Sequence, residues 1–523
     1  MPPKATLGEV LLHYANDAGD RDERVAFLKQ MIGEDILASL TVGDAFRDGA
    51  SLDLLEGQIC LDNCSALQKI WFQRFLVDCA DWSKRNHKIP RIEKPHNRFA
   101  AVGAPATFGA NSDGGWPEKQ ANSSLEVMCG RPSKSFWINA RIIHPVFNEM
   151  MEALKDSSVP QPSDFKLARA LTHTMPSSFL LENSRRDEIN QIFNDHLGVG
   201  IGVQGISSFD TDGTSFRSGI SVEYKNEKGL GKSDPYMQNI GYYVQYWSRS
   251  DGPTRHCCPW IIVEVLGQEI GLSAAFWACG RPSAQPLSPN IPFLPVPSDR
   301  EFFIMQARLC KALRIGTSTL REFYQTEHKI PVTPQAGFPY PRKVRFDGKS
   351  EEVELEYIGI LDGAKESRKM LFVARRTDTQ ASVLVKFTDM YGEQIHRELA
   401  AEGLAPDLYY VGRHTGLSMV VMELLSGCRM WNEESRTEQL VRKLRRDGSL
   451  PAKKGYVHGD LRPPNVHTKE GNVYILDFDW AGMEGHAVYP DVLNPSQNWH
   501  ADAEVGSLIL KEHDKFMIEN LCK

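Results

Sequence analysis

The sequence predicts a multidomain protein of mixed α/β and α+β class, with a helical N-terminal region, an α/β core and a further domain that opens with strands. Three patterns carry that reading. Apolar residues such as Leu67, Ile70, Trp71 and Phe75 recur at helical spacing between Leu7 and about Arg91. Helix-period and β-branched segments alternate through the middle of the chain. Beyond Glu327 the prolines Pro331, Pro334, Pro339 and Pro341 interrupt the pattern, which then restarts as strands. With 523 residues, 41% of them hydrophobic, the chain has apolar material for two or three cores.

Taken in order, the helical region gives way at about Asn97 to a stretch rich in Gly, Ala, Ser and Asn. This reads as a long loop or linker and sets a first boundary, so that 1–124 is one region. A middle domain over 125–327 follows. It includes an expected helix at 185–196 and expected strands at 199–206, 219–225, 260–266 and 271–277. The prolines from Pro282 to Pro297 read as a connecting loop, before a helix that runs through Phe302, Met305, Leu309 and Leu313 to Tyr324. The last domain occupies 328–523.

Composition narrows the function classes. Lys and Arg number 60 against 67 Asp and Glu, a net charge of −7, which excludes a uniformly basic nucleic-acid coat and leaves only local DNA contacts. No segment approaches the roughly 20 apolar residues of a membrane-spanning helix. The N-terminus lacks the apolar core of a secretory signal, so an intracellular protein is expected. Ten cysteines are scattered without paired metal-type spacing, as reduced thiols would be. Arg255-His256-Cys257-Cys258-Pro259 reads as buried structural thiols ahead of a zinc site, because adjacent cysteines chelate poorly.

Chemistry concentrates in two places. In Gly219-Ile-Ser-Val-Glu-Tyr-Lys, Glu223 and Lys225 are two apart and share one face of a strand. Asp212 stands a hairpin's length before them, with Asp210 as a near-equal alternative. Two carboxylates and a lysine in that order can hold Mg²⁺ while the lysine orients or deprotonates an attacking water for phosphodiester cleavage. The same Glu-x-Lys also occurs on the solvated face of ordinary hairpins. Downstream, Asp234-Pro235 reads as a helix N-cap with proline at the first helical position. On that helix Gln238 and Tyr242 stack on one face, and Met237, Ile240, Val244 and Trp247 anchor another to the sheet. Glu188, on an upstream helix, is a candidate third metal carboxylate.

Together these residues resemble the PD-(D/E)XK restriction-endonuclease-like superfamily, including the Gln-x-x-x-Tyr helix of its RecB-like branch, over about residues 180–280. The resemblance implies a nuclease-like α/β core and DNA as substrate. Asp212, Glu223 and Lys225 would be catalytic, with Gln238 and Tyr242 supporting. Arg217, Lys228, Lys232, Arg249 and Arg255 would meet phosphates.

The second place is Val457-His-Gly-Asp-Leu-Arg-Pro-Pro-Asn-Val, followed by Val473-Tyr-Ile-Leu-Asp-Phe-Asp. Phosphoryl transfer needs a group that orients the acceptor hydroxyl, ligands for Mg²⁺ and a lysine on the phosphates. Asp460 fits the first role, and Asn465 and Asp477 the second. The spacing resembles the HxDxxxxN and DFG pattern of the protein-kinase-like fold, with the His-Gly-Asp and Asp-Phe-Asp variants of its aminoglycoside- and choline-kinase-like branches. That resemblance implies a small bilobal, ATP-binding domain. Lys386 would sit on the phosphates, Glu393 (or Glu398) would pair with it, and Met422 to Leu424 would form the adenine hinge. Two departures stand out. The nucleotide loop Ile358-Gly-Ile-Leu-Asp-Gly-Ala-Lys lacks the GxGxxG spacing, and no Ala-Pro-Glu signal follows Asp477, so a minimal C-lobe is expected.

A nuclease-like domain ahead of a kinase-like one resembles the fungal Crinkler-type effector and toxin family, over about residues 180–490. The implied function is a Mg²⁺-dependent DNA-cleaving nuclease fused to an ATP-dependent kinase with an unidentified phosphoryl acceptor. It would act in the nucleus or between nucleus and cytoplasm. The Leu-x-Leu-Phe-Leu-Ala-Lys header of many members is missing at the start, which leaves unconventional secretion into a host cell open. Two other readings remain at this level. One is a protein or small-molecule kinase with a non-catalytic nuclease-fold platform, and the other a non-catalytic interaction protein that binds DNA and nucleotide. The basic run Arg442-Lys-Leu-Arg-Arg reads as a solvated helix face ahead of a nuclear-import signal.

Overall fold

The computed structural model describes residues 96–523 apart from 111–113, 123, 132–137, 207–208, 228–232, 362–363, 365–368 and 435. The helical region expected before Arg91, together with Lys228 and Lys232, lies outside the described residues. His96–Lys523 forms one compact unit. It is of mixed α/β character, with eleven α-helices and five sheets among the described residues.

The stretch expected as a linker is instead part of the core. After a 3₁₀ turn at Asn97–Val102 come α1 (Pro105–Phe108) and α2 (Trp116–Ala121). Phe99, Val102 and Phe108 are fully buried. The small residues around them permit close approach to a later helix, where a Cβ on Gly241 would lie 2.9 Å from the Cα of Pro105. Small-residue composition here signals tight packing, not flexibility.

Three helices follow: α3 (Pro145–Lys155), α4 (Pro162–Thr174) and α5 (Glu182–Leu197). The strand expected from Val199 shrinks to β1 (Gly205–Ile206), paired with β2 (Phe209–Asp210). The reason is Asn194, whose side chain accepts from Ile201 N at 2.6 Å and donates to Ile201 O at 2.8 Å, taking the place of a strand partner. Then come β3 (Gly213–Ser215) and β4 (Ile220–Lys225). α6 (Pro235–Trp247) crosses over to β5 (Trp260–Leu266), which lies parallel to β4. β6 (Glu269–Ala278) and β7 (Arg281–Pro286) continue antiparallel, with β8 (Ile291–Pro292) beside β6. β7 occupies residues expected as a proline loop; it is an edge strand, where a missing N–H is tolerated. α7 (Arg300–Thr326) completes this part.

Register decides which side chains meet. Glu223 faces Glu264 across the parallel pair, and Ser221 faces Ile262. Val222, Tyr224, Val263 and Val265 point to the opposite side and are buried in the larger core with residues of α3, α4, α5 and α7. The Glu223 side is roofed by α6, where Met237, Ile240, Val244 and Trp247 pack on Trp260 and Ile262. The expected cap holds as well: Asp234 accepts from Met237 N at 3.1 Å.

The second half opens with an antiparallel sheet of β9 (Lys343–Val344), β10 (Val353–Ile360), β11 (Met370–Arg376), β12 (Ser382–Thr388), β13 (Leu408–His414) and β14 (Leu417–Glu423). The strand order is β13-β14-β12-β11-β10-β9, and α8 (Glu393–Ala401) is inserted after β12. Next come β15 (Arg429–Met430), α9 (Glu438–Asp447), α10 (Leu450–Lys453), β16 (Tyr456–Val457), β17 (Val466–Lys469), β18 (Asn472–Ile475), β19 (Gly482–Met483) and α11 (Lys511–Leu521). These build a second core of Leu444, Leu461, Val466, Phe478, Met517 and their neighbours. The proline segment between the halves is seated: Gln335 exchanges hydrogen bonds of 2.9 and 3.0 Å with the backbone of Tyr357, and Phe338 stacks on the Tyr357 ring. No helix among the described residues is long and apolar enough to cross a membrane.

Candidate functional site

Two clusters of charged side chains are built on these sheets. The first centres on β4, an interior strand whose alternation turns Ser221, Glu223 and Lys225 to one face. Glu223 is fully buried and accepts a 2.7 Å hydrogen bond from Lys225 Nζ. The same ammonium donates to Tyr224 O at 2.9 Å and lies 3.8 Å from Glu182 Oε1. Asp212, just after β2, accepts from Tyr224 N at 3.4 Å, and its carbonyl accepts from Asn190 at 3.3 Å. Asn190 is in turn fixed by the Tyr224 hydroxyl at 2.6 Å.

The electrostatics follow from crowding three carboxylates around one lysine. Burial, then the charge of Asp212, pushes Glu223 up to about 8. Burial likewise raises Glu182. Burial alone would lower Lys225, but the Glu223 charge and hydrogen bond outweigh it, so Lys225 is raised and stays an ammonium. Glu223 Oε2 is buried and has no hydrogen-bond partner. A buried carboxylate oxygen without a partner is what a cation would satisfy. Among the described residues no three His, Cys, Asp or Glu converge as a metal-holding set. Mg²⁺ commonly takes one or two carboxylates and keeps several waters, and Asp212 with Glu223 fits that demand.

α6 closes the same face. Gln238 Nε2 donates to the Tyr242 hydroxyl at 3.3 Å, and burial followed by the Glu223 charge raises that hydroxyl's pKa. Asn239, which the sequence reading passed over, donates to Ser221 O at 3.4 Å and Val263 O at 3.2 Å, tying α6 to both parallel strands. One strand over, Glu264 accepts from Ser273 at 3.2 Å, and burial pushes it up to about 7. With Arg131, Asp234 and Tyr236 it borders a cavity of about 490 Å³.

Several expected residues fall elsewhere. Glu188 lies exposed on α5, and Glu182, at the start of that helix, takes its place beside Lys225. Six residues separate the two, which puts them on different helix faces. Asp210 is exposed, leaving Asp212 as the cluster's aspartate. Arg217 is exposed, Arg249 bonds Gln245, and Arg255 donates to Ile330 O at 2.8 Å. Cys257 is buried in the larger core and Cys258 in the cluster under α6.

The second cluster joins β12 to the segments around β17 and β18. Lys386, buried on an interior strand, pairs with Asp477 and, at 2.6 Å, with Asp479. The other Asp477 oxygen pairs with Lys369. Asp477 sits in the left-handed region at φ 68°, an uncommon conformation for a residue other than glycine. Asp460 is held on both oxygens by Arg462 and accepts from Asn465 Nδ2 at 2.7 Å. That nitrogen also donates to Asp460 O at 2.8 Å. Both amide hydrogens are thus committed, which leaves the Asn465 side-chain oxygen as the group for a cation.

The loop carrying Asp460 is fixed from below. Its His458 ring takes the Asp460 N–H at 3.2 Å on one nitrogen and faces Leu476 O at 3.1 Å with the other, so the neutral ring carries its proton on Nε2. Burial lowers His458 to about 4, consistent with that state. Phe478 packs between His458 at 5.3 Å and His396 of α8, with which it stacks at 4.4 Å. Asp514, buried on α11, accepts from the backbone N–H groups of His458 and Gly459.

The expected lysine–glutamate pair is not formed. Glu393 is the first residue of α8 and bonds Arg397 one turn on, at 2.9 Å, while Glu398 meets Lys454 at 2.5 Å. Lys386 takes Asp477 and Asp479 instead. Met422 is buried near the end of β14 and Leu424 lies just past it. Lys369, Arg462 and Asp514 were missed from sequence, since nothing in their local spacing marks them.

No protein-family model matches the chain, and no curated protein matches it. Among solved structures, the crystal structure of the BubR1 kinase domain is similar at 14% identity and a TM-score of 0.24, over 34% of this chain. The match spans 63% of that kinase domain's length.

Proposed function

We propose that the chain is a Mg²⁺-dependent DNA-cleaving nuclease fused to an ATP-dependent kinase, of the Crinkler effector and toxin type. The observation that carries the reading is that residues distant in sequence gather into two chemically coherent sets. Lys225 is hydrogen-bonded to Glu223, and Asp212, whose carboxylate accepts from Tyr224 N, stands near enough for its charge to raise Glu223. Asp477 with Lys386 and Asp460 with Asn465 form the other. The β4–α6–β5 parallel crossover and the antiparallel order β13-β14-β12-β11-β10 support the fold half of the proposal.

In the first site Asp212 and Glu223 would hold the cation, which supplies Lewis acidity and an acidified water when bound. Lys225, kept charged by Glu223, donates to that water or to a phosphate oxygen and stabilises the negative charge of the transition state. Gln238 holds the Tyr242 hydroxyl, which feels the charges of Glu223 and Asp212. In the second site Asp477 and the Asn465 oxygen would hold the cation. Lys386 donates to nucleotide phosphates, and Asp460 orients the acceptor hydroxyl and takes its proton. Arg462 must yield one Asp460 oxygen for that to happen.

Incubating purified protein with supercoiled plasmid and Mg²⁺, with and without ATP, beside Lys225→Ala, tests the proposal. Cleavage by wild type alone, with phosphoryl transfer retained by the variant, is expected. A second reading, nucleotide binding without turnover, is favoured by Glu393 being held by Arg397 and not by Lys386. ATP binding with no cleavage and no turnover would select it.

A further inference from the structure

Lys369 has no place in the proposed chemistry, yet it occupies the centre of the second site. It stands at the foot of β11, immediately before Met370, where the chain leaves the nucleotide loop. Its N–H donates to Ala364 O at 3.1 Å, closing that loop. Its ammonium pairs with one oxygen of Asp477 while Lys386 pairs with the other. Two ammonium groups on one carboxylate repel each other. Burial, then Lys386, accordingly lowers Lys369 to about 8.

Asp477 between them, with Asp479 beside Lys386 at 2.6 Å, holds the two ammonium groups close enough together to be well matched to a polyphosphate. A carboxylate offers one negative charge, whereas a triphosphate offers several, spread over oxygens that two separate lysines can reach at once. The loop supplies the second argument. Ile358-Gly-Ile-Leu-Asp-Gly-Ala-Lys lacks the GxGxxG spacing by which backbone N–H groups cradle phosphates, which gives a side-chain cation beside it a larger part in anion binding. Among the described residues at the end of that loop, Lys369 reaches the site.

We propose that Lys369 is a second phosphate-binding lysine, which grips the nucleotide's terminal phosphates beside Lys386 and stands in for the missing glycine-rich cradle. The proposal rests on the ATP-binding reading and adds to it the loop's mode of recognition. On nucleotide binding both lysines exchange Asp477 for phosphate oxygens, which leaves the aspartate for the cation.

The test measures binding and needs no phosphoryl acceptor. Adenosine, MgADP and MgATP are titrated against the full chain, its Lys369→Ala and Lys369→Arg variants, and Lys349→Ala as an exposed-lysine control. Thermal unfolding of each confirms folding. Lys369→Ala is expected to weaken MgATP on the order of tenfold or more, MgADP less and adenosine not at all, with Lys369→Arg recovering most of the loss. A folded Lys369→Ala that binds MgATP as wild type does overturns this proposal alone. Failure of wild type to bind either nucleotide overturns the ATP-binding reading with it.

Discussion

Asp514 accepts a 2.8 Å hydrogen bond from the backbone N–H of Gly459, so a carboxylate on the last helix holds the residue next to Asp460. It takes His458 N–H as well, and burial nonetheless pushes Asp514 up to about 6. Gly459 has φ 78° and Ile509 packed against the place a Cβ would fill, so the loop has little freedom to find other partners. Asp514→Asn keeps one acceptor oxygen and sets an amide donor against the other backbone N–H. It is expected to destabilise the protein by about 2 kcal/mol and to reduce phosphoryl transfer far more than DNA cleavage. Urea unfolding beside the two activity assays checks this, and equal losses in both activities would show a general structural role.

The two clusters use separate residues on separate sheets, which makes their failures separable. Lys225→Ala should lower plasmid cleavage at least about a hundredfold and leave phosphoryl transfer intact. Asp460→Ala should do the reverse. Each variant is assayed for both reactions, and loss of both from either substitution contradicts the two-site arrangement.

Glu223 sets a pH dependence whose sign depends on the cation. Folding raises its pKa from 4.5 to about 8, so the folded state binds the proton more tightly than the unfolded chain. Its contribution to stability is therefore fully present below about 4.5 and is lost as pH rises through about 8. Glu223→Gln mimics the protonated form. Without Mg²⁺ it should match wild type near pH 5 and exceed it near pH 8.5 by on the order of 2 kcal/mol, less than the whole shift because an amide oxygen is a weaker acceptor for Lys225 than a carboxylate. Mg²⁺ competes with the proton at Glu223, so added Mg²⁺ should raise the Tm of wild type most at the higher pH and raise that of Glu223→Gln less, with no such pH dependence. Thermal melts at both pH values, with and without Mg²⁺, decide it.

What the sequence made legible were features written locally. Trp260–Leu266 and the Asp234 cap could be read because β-branched runs and an Asp-Pro step act over a few residues. Glu223 with Lys225, and Asp460 with Asn465, were visible because strand period and loop length fix their relation. What failed depends on rotation or on distant partners. The pairing of Lys386 with Asp477 in place of Glu393 is decided by where the start of α8 is held, through Gly392 N donating to Phe478 O at 2.8 Å. No spacing records that. Phe99 and Phe108 were hidden among small residues whose composition imitates a linker, although each is an anchor for α6.

The choice of third carboxylate tests this distinction directly. Sequence order singles out Glu188, but α5 turns it to solvent and brings Glu182 to within 3.8 Å of Lys225 Nζ. Glu182 adds negative charge to the Asp212 and Glu223 site, which strengthens attraction for a divalent cation and helps keep Lys225 protonated. Glu182→Gln should therefore raise the Mg²⁺ concentration needed for half-maximal cleavage several-fold, because one unit charge is removed near a divalent ion. Glu188→Gln, exposed and outside the cluster, should leave it unchanged. At saturating Mg²⁺ the Glu182→Gln variant should recover most of its rate, since Glu182 acts on the cation's affinity and on Lys225 without touching the phosphate. A Mg²⁺ titration of both variants separates the possibilities, and a deficit in Glu188→Gln with none in Glu182→Gln would return the role to the residue that sequence order favours.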